Sequence, residues 1–392
     1  MEQHAPLSIL LLIMDLLYGE CMAEQTLLLN WVYYHPIGHA LEAFKAAKGF
    51  TEANPGVDVH VLLNSRTVVE LADACPWIAR AYPIDLEEIA SKGTAASCLQ
   101  PIPRTWDFIV NDHRPTASPF FFADSLRTFH DLAEIQFSAR EWRGGHHRLP
   151  SGGPPFYVRN ATIRLSVPDS AKEFVRDINS ASPRICVLPA GSSDEAIYPK
   201  VDWWLQAINA IKLRWPAAQF FFTGKSAIDD RTSTMAFPHD KFKTVLAGTP
   251  GIIDCYDIGL WNQMALLEWC DVLIAPHTGF AFLAPCLGTP WLAVSGVRWP
   301  ECFFNEVPFY SVLPTCDRYP CWKDMKAECA SRLQAGTTVI CMDDELPSRL
   351  DDLLLGLDLV LDPQFTFAQA RQLYKSRIAA TGVARERFFE IS

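Results

Sequence analysis

The chain has 392 residues, 49% of them hydrophobic and 20% charged, with a formal net charge of -11. This is a globular composition, long enough for two domains with separate cores. The acidic balance excludes a phosphate-backbone binder as the main function and argues against docking on an anionic membrane. Twelve cysteines in a chain of this length make no disulfide scaffold. Cys186, Cys255, Cys270 and Cys286 stand in apolar runs and read as buried thiols, which fits a cytoplasmic location.

The first residues contain LSILLLIMDLLYG at 7–19. No Lys or Arg precedes it and Asp15 interrupts it, so 1–22 reads as an extra amino-terminal helix or a mispredicted start rather than an export signal. The segment is also too short to span a bilayer comfortably. TLLLNWVYY at 26–34 is the first strand, apolar throughout as in a sheet covered on both faces. HPIGH leads into an amphipathic helix over 40–54, VDVHVLLN is a second strand, and 67–75 is a short helix. WDFIVND at 106–112 is another strand, followed by helical periodicity over 121–137 and a Gly/Pro-rich loop over 140–156. The segment 169–183 reads as a helix followed by a Pro-containing linker.

A second series opens with RICVLPAG at 184–191. A helix over 201–215, strands at 218–224 and 251–259, a helix at 261–270 and the strand DVLIAP at 271–276 follow. Two such series predict two doubly wound α/β domains, 23–182 and 183–345, facing each other across a cleft at the carboxyl ends of their strands. LPSRLDDLLLGL at 346–357 and the segment 363–380 read as closing helices within 346–392.

The most informative stretch is APHTGFAFLAPCLGTPWLAVSG, 275–296. It leaves a buried strand at His277, turns through Thr278 and Gly279, and enters an apolar helix. A helix starting there offers backbone N–H groups and the positive end of its dipole, which suit a phosphate or pyrophosphate. Thr278 can cap the helix or donate its hydroxyl, and Gly279 leaves room for close approach. An ordinary N-cap in a tight turn is the plainer reading of the same residues.

This stretch resembles the signature of glycosyltransferase family nine, the ADP-heptose:lipopolysaccharide heptosyltransferases. There a strand ends in Asp-Thr-Gly, and a His follows within the next helix before an apolar run and Gly-x-Pro. Thr278, Gly279, Leu283, Ala284, Gly288 and Pro290 match; His277 stands in the Asp place and Phe282 in the His place. Three further segments, 184–204, 218–230 and 262–277, resemble the family's carboxyl-terminal series in order. The segment 36–63 resembles its Ile-Gly-Asp loop, first helix and second strand, with His39 at the Asp position. The likeness runs over about residues 26–355.

The resemblance implies the GT-B fold, with acceptor held by the amino-terminal domain and nucleotide sugar by the carboxyl-terminal one. It implies inverting, metal-independent transfer from a nucleotide-diphosphate sugar, with an ADP-linked donor favoured and heptose one option. No cofactor and no metal ligand set is expected. The acceptor is a small molecule or a glycan, neither nucleic acid nor an integral membrane partner.

The chemistry needs a base, a held sugar and stabilisation of the leaving diphosphate. His39 is the candidate base, since imidazole takes a proton near neutral pH; capping the helix is its plainer role. His35, Gly38, Asp112 and His113 are the candidate acceptor residues. Gly191, Ser192, Ser193, Lys200, Gly224, His277, Thr278 and Gly279 are the candidate donor residues, with Lys200 facing phosphate or, alternatively, solvent. RGGHHR at 143–148 is a local basic loop, read as a mobile surface loop or a contact for an acidic acceptor. Cys316, Cys321, Cys329 and Cys341 lack paired C-x2-C spacing, so a redox-labile or structural cluster is preferred to zinc. Two further functions fit the same pattern: a decayed nucleotide-sugar-binding protein, and a GT-B-like sugar-nucleotide epimerase.

Overall fold

The computed structural model describes residues 25–32, 35–103, 105–111, 155–158, 161–176, 178, 181–226, 231, 234, 243, 249–297, 305–321 and 325–380. The strands are β1 (Gln25–Trp31), β2 (Val57–Asn64), β3 (Arg80–Ile84), β4 (Phe108–Asn111), β5 (Arg184–Val187), β6 (Gln219–Gly224), β7 (Ile252–Tyr256), β8 (Val272–Pro276), β9 (Trp291–Val294) and β10 (Phe309–Val312). The α-helices are α1 (Ile37–Ala53), α2 (Leu86–Lys92), α3 (Asp169–Arg176), α4 (Val201–Arg214), α5 (Leu260–Trp269), α6 (Leu283–Leu287), α7 (Ala327–Gln334), α8 (Leu350–Leu361) and α9 (Phe367–Ala380).

The strands form two parallel sheets, one of four strands in the order β3-β2-β1-β4 and one of six in the order β10-β9-β8-β5-β6-β7. The larger sheet reverses its winding between β5 and β8, the arrangement of a dinucleotide-binding fold. The smaller sheet has the same kind of reversal between β1 and β4. Loops after strands that flank such a reversal diverge to opposite faces and leave a crevice between them.

Continuous apolar strands form because both sheet faces are covered. Leu27 and Leu29 pack into one core and Leu28 into another across the sheet. Phe220 and Phe222 likewise face one core and Phe221 the opposite one. One core runs without interruption from β1, β2 and α1 through the connecting residues Ile163 and Leu165 to β8, α6 and β9. The two sheets are therefore joined by shared apolar packing as well as by the covalent link. Asn305 fastens this junction, with its side-chain carbonyl accepting from the Ile163 N–H at 2.9 Å and its amide donating to the carbonyls of Ile163 and Pro285.

Cys186, Cys255, Cys270 and Cys286 are buried free thiols. Burial pushes the thiols of Cys255 and Cys286 up to about 12. The closing helices pack on the larger sheet: α8 against β9, β10 and α4, and α9 against β10. The segments 121–137 and 140–154, including the basic loop 143–148, lie outside the described residues.

Candidate functional site

A cleft of about 490 Å³ lies between the two sheets, within the range of pockets that enclose a small molecule. On the side of the smaller sheet it is lined by Pro36 to His39, Glu42, Val68 and Glu70. On the side of the larger sheet it is lined by Gly191 to Ser193, Gly224, Lys225, Gln263 and His277 to Phe280. Both linings are built from loops that follow the carboxyl ends of strands and from the first turns of the helices those loops lead into. The 191–193 loop leaves β5 and the 277–279 turn leaves β8, the pair that flanks the reversal.

The His-Thr-Gly turn does begin helical structure, in a different form from the simple α-helix expected. A 3-10 turn, Phe280–Phe282, comes first and α6 follows for five residues. Thr278 is 5% exposed, and its hydroxyl accepts from the Ala281 N–H at 3.3 Å, an N-cap bond. Pro285 inside the segment and the left-handed Gly288 at its end hold it short.

Gly279 serves packing between the lobes rather than room for a ligand alone. A Cβ placed on it would sit 2.8 Å from the Gly38 backbone nitrogen, and one on Gly38 would sit 2.9 Å from the Gly279 Cα. The two glycines thus press backbone on backbone at the floor of the cleft. Phe282 closes over the same contact: its ring is 3.2 Å from a Cβ at Gly38 and packs on Trp291. The His277 ring stands edge-on to it at 5.4 Å. The two positions that depart from the family pattern are in contact with each other.

His39 sits in the first turn of α1 with its side chain 22% exposed. Its Nδ1 is 3.1 Å from Oε2 of Glu42, one turn further along the helix. Glu42 is 3% exposed. Sequence reading missed Glu42, although an i, i+3 spacing on a helix was the available signal.

The remaining predicted residues divide. Ser192 and Ser193 are exposed in the cleft wall. Gly191 packs under the Tyr198 hydroxyl, which hydrogen-bonds to Ser193 and Gly191; burial pushes that phenol up. Gly224 ends β6 and its carbonyl accepts from Gln263 at 2.6 Å. Lys200 is elsewhere: it is exposed, stands just before α4 without a side-chain capping bond and pairs with Asp343 at 2.5 Å, and it is not among the residues lining the cleft. Among the described residues, Lys225 and Arg231 are the lysine and arginine that do. Arg231 Nη2 reaches across to both Glu70 oxygens at 2.8 and 2.9 Å and to the Thr67 carbonyl at 3.0 Å. No strand or helix motif announces a lone lysine or arginine in a loop, so sequence alone gave no reason to choose them. His35 is exposed beside the cleft without lining it, and its pKa is lowered by desolvation first and by the charges of Arg66 and His39 next. Asp112 and His113 lie outside the described residues.

Cys316, Cys321, Cys329 and Cys341 meet around a separate cavity of about 30 Å³. There the Val297 N–H donates to Cys341 Sγ at 3.4 Å and the Cys321 thiol donates to the Val297 carbonyl at 2.8 Å. Among the described residues, no group of three or more His, Cys, Asp or Glu is arranged to hold a metal ion.

No protein-family model and no curated protein sequence matches the chain. Solved structures do. The ADP-heptose lipopolysaccharide heptosyltransferase II of E. coli superposes with a TM-score of 0.50 at 14% identity, covering 86% of this chain and 98% of that one. A glycosyl transferase family 9 protein from Veillonella parvula gives a TM-score of 0.50 at 10% identity over 86% and 97%. An iron-containing dodecameric glycosyltransferase from enterotoxigenic E. coli gives 0.51 at 15% identity over 87% and 78%. At these identities the likeness is one of fold, and it extends over 86–87% of the chain. Two parallel α/β sheets facing each other across a cleft, and this likeness to glycosyltransferases, show that the chain has the two-domain GT-B fold.

Proposed function

We propose that the protein is a glycosyltransferase of the family-nine type, moving a sugar from a nucleoside-diphosphate donor to an acceptor hydroxyl or amine with inversion. One observation carries this reading: His39 and the His277–Gly279 turn line one cleft from opposite lobes, and their glycine neighbours touch. A base on one wall and phosphate-binding groups on the other are what in-line displacement at an anomeric carbon requires.

In this reading His39 takes the acceptor's proton as the acceptor atom bonds to the anomeric carbon. The bond from that carbon to the diphosphate oxygen breaks, and its electron pair leaves on the diphosphate. The Thr278 turn, Ser192, Ser193, Lys225 and Arg231 surround the developing negative charge. ADP is the favoured nucleotide because the E. coli neighbour is an ADP-heptose enzyme; a small soluble acceptor is favoured by the acidic chain.

The test is acceptor-dependent release of ADP from ADP-heptose and other ADP-sugars across a panel of small hydroxyl and amine acceptors. Release that needs both acceptor and His39 supports transfer. The contact of His277 with Phe282 favours one alternative, a binding protein that has lost turnover. Tight ADP binding without release under any acceptor would establish that alternative instead.

A further inference from the structure

We propose that Glu42 is the positioning residue for His39, so that the two act as a dyad in which the carboxylate fixes the imidazole tautomer and stabilises the imidazolium. The inference deepens the reading given above and rests on it for the identity of the reaction.

The geometry points to this pairing. Glu42 Oε2 is 3.1 Å from His39 Nδ1, and Glu42 is 3% exposed while lining the same cleft. A carboxylate held out of water is costly unless paired, and an apolar side chain of similar volume is often as stable at such a place. Helix geometry sets the contact, because residues three apart on α1 share a face. A neutral imidazole has two tautomers, and only one leaves Nε2 with its lone pair. In the proposed dyad Glu42 is ionised and accepts only, so the proton between the pair belongs to Nδ1. Nε2 is then the atom that takes the acceptor's proton. After transfer both ring nitrogens carry hydrogen, and the new positive charge faces the Glu42 carboxylate.

The experiment uses the full-length chain labelled with 15N at histidine, observed by long-range 1H–15N spectra at about pH 8, where the neutral ring predominates for an ordinary histidine. His39 is assigned by the signal lost in His39→Gln. The expected result is a His39 held as the Nδ1–H tautomer in the native chain. In Glu42→Met it becomes a tautomer mixture, while the other histidines keep their shifts. Glu42→Gln retains an acceptor for Nδ1–H and restores the tautomer, but it lacks the charge. In the ADP-sugar release assay both variants lose about 100-fold in kcat, in the range that positioned acid–base groups contribute, with KM for the donor unchanged. Thermal stabilisation by ADP stays as in the native protein. A native His39 in the Nε2–H form, or one unchanged in Glu42→Met, overturns the dyad whatever the activity. A native chain that shows the tautomer but no stabilisation by ADP sinks the donor reading and leaves the dyad standing.

Discussion

At Gly38 and Gly279 the chain has no room for one methyl group. An added Cβ would meet backbone at 2.9 and 2.8 Å, and backbone cannot rotate aside as a side chain can. Gly279→Ala is expected to destabilise the protein by about 1–3 kcal/mol, as overpacking does in cores. Denaturant titration checks this, and an unchanged midpoint would mean the lobes part freely at that contact. His39→Ala is expected to abolish transfer while ADP still stabilises the fold; retained turnover would remove His39 as base. Lys45 on α1 gives a pH signature. Burial lowers its pKa to about 8, against smaller raising effects of Cys286 and Glu306. The unfolded chain therefore binds more protons than the folded one between about 8 and 10.5, and stability from this group rises with pH across that window. The scale is about 3 kcal/mol for such a shift. Lys45→Met is expected to be more stable than the native chain near neutral pH, with the gap closing as pH climbs through 8 toward 10.5; a gap independent of pH would show Lys45 charged throughout. Site residues were unevenly legible in the sequence. The Thr278 turn and His39 stand at strand ends, where position is written in hydrophobic pattern. Glu42 left a signal in its three-residue spacing from His39 on one helix, whereas Lys225 and Arg231 are placed by neighbours distant in the chain, which no single-sequence pattern records.

Among the elements, β2 was predicted at its observed boundaries, and β1, β4 to β8 and the helices α1, α4 and α5 were placed within a few residues. Long apolar runs with clear breaks make these readable. β3 was not, because RAYPI is short and carries Pro83, which only an edge strand accepts. β10 is also an edge and only four residues long. The helix after His277 proved to be a 3-10 turn and a single α-turn, since Pro285 interrupts what apolar content alone suggested. The loop after β6 carries Lys225 and Arg231, and the 3-10 segment Val69–Ala74 carries Glu70. Their ion pair spans the cleft between lobes. In the proposed reading a donor diphosphate would compete with Glu70 for the Arg231 guanidinium, and a charge-assisted hydrogen bond of about 1.5–3 kcal/mol sets the scale. Arg231→Ala is expected to weaken ADP binding about tenfold or more by calorimetry, and Glu70→Gln to strengthen it. ADP affinity untouched by both changes would place the diphosphate away from this wall.

On the scale of the whole molecule, the fold puts two strand-order reversals face to face and places every lining loop at a carboxyl strand end. No helix among the described residues is long and apolar enough to cross a membrane. The central claim is that this cleft holds a nucleoside diphosphate against the Thr278 turn. A thermal-shift series with ADP, UDP, GDP and dTDP, set against the matching monophosphates and nucleosides, tests it most directly. One diphosphate is expected to stand apart, with about 2.7 kcal/mol of stabilisation at a hundredfold excess over Kd, and Thr278→Val is expected to diminish that effect. Equal responses to diphosphate and nucleoside, or a diphosphate response indifferent to Thr278, would contradict the account.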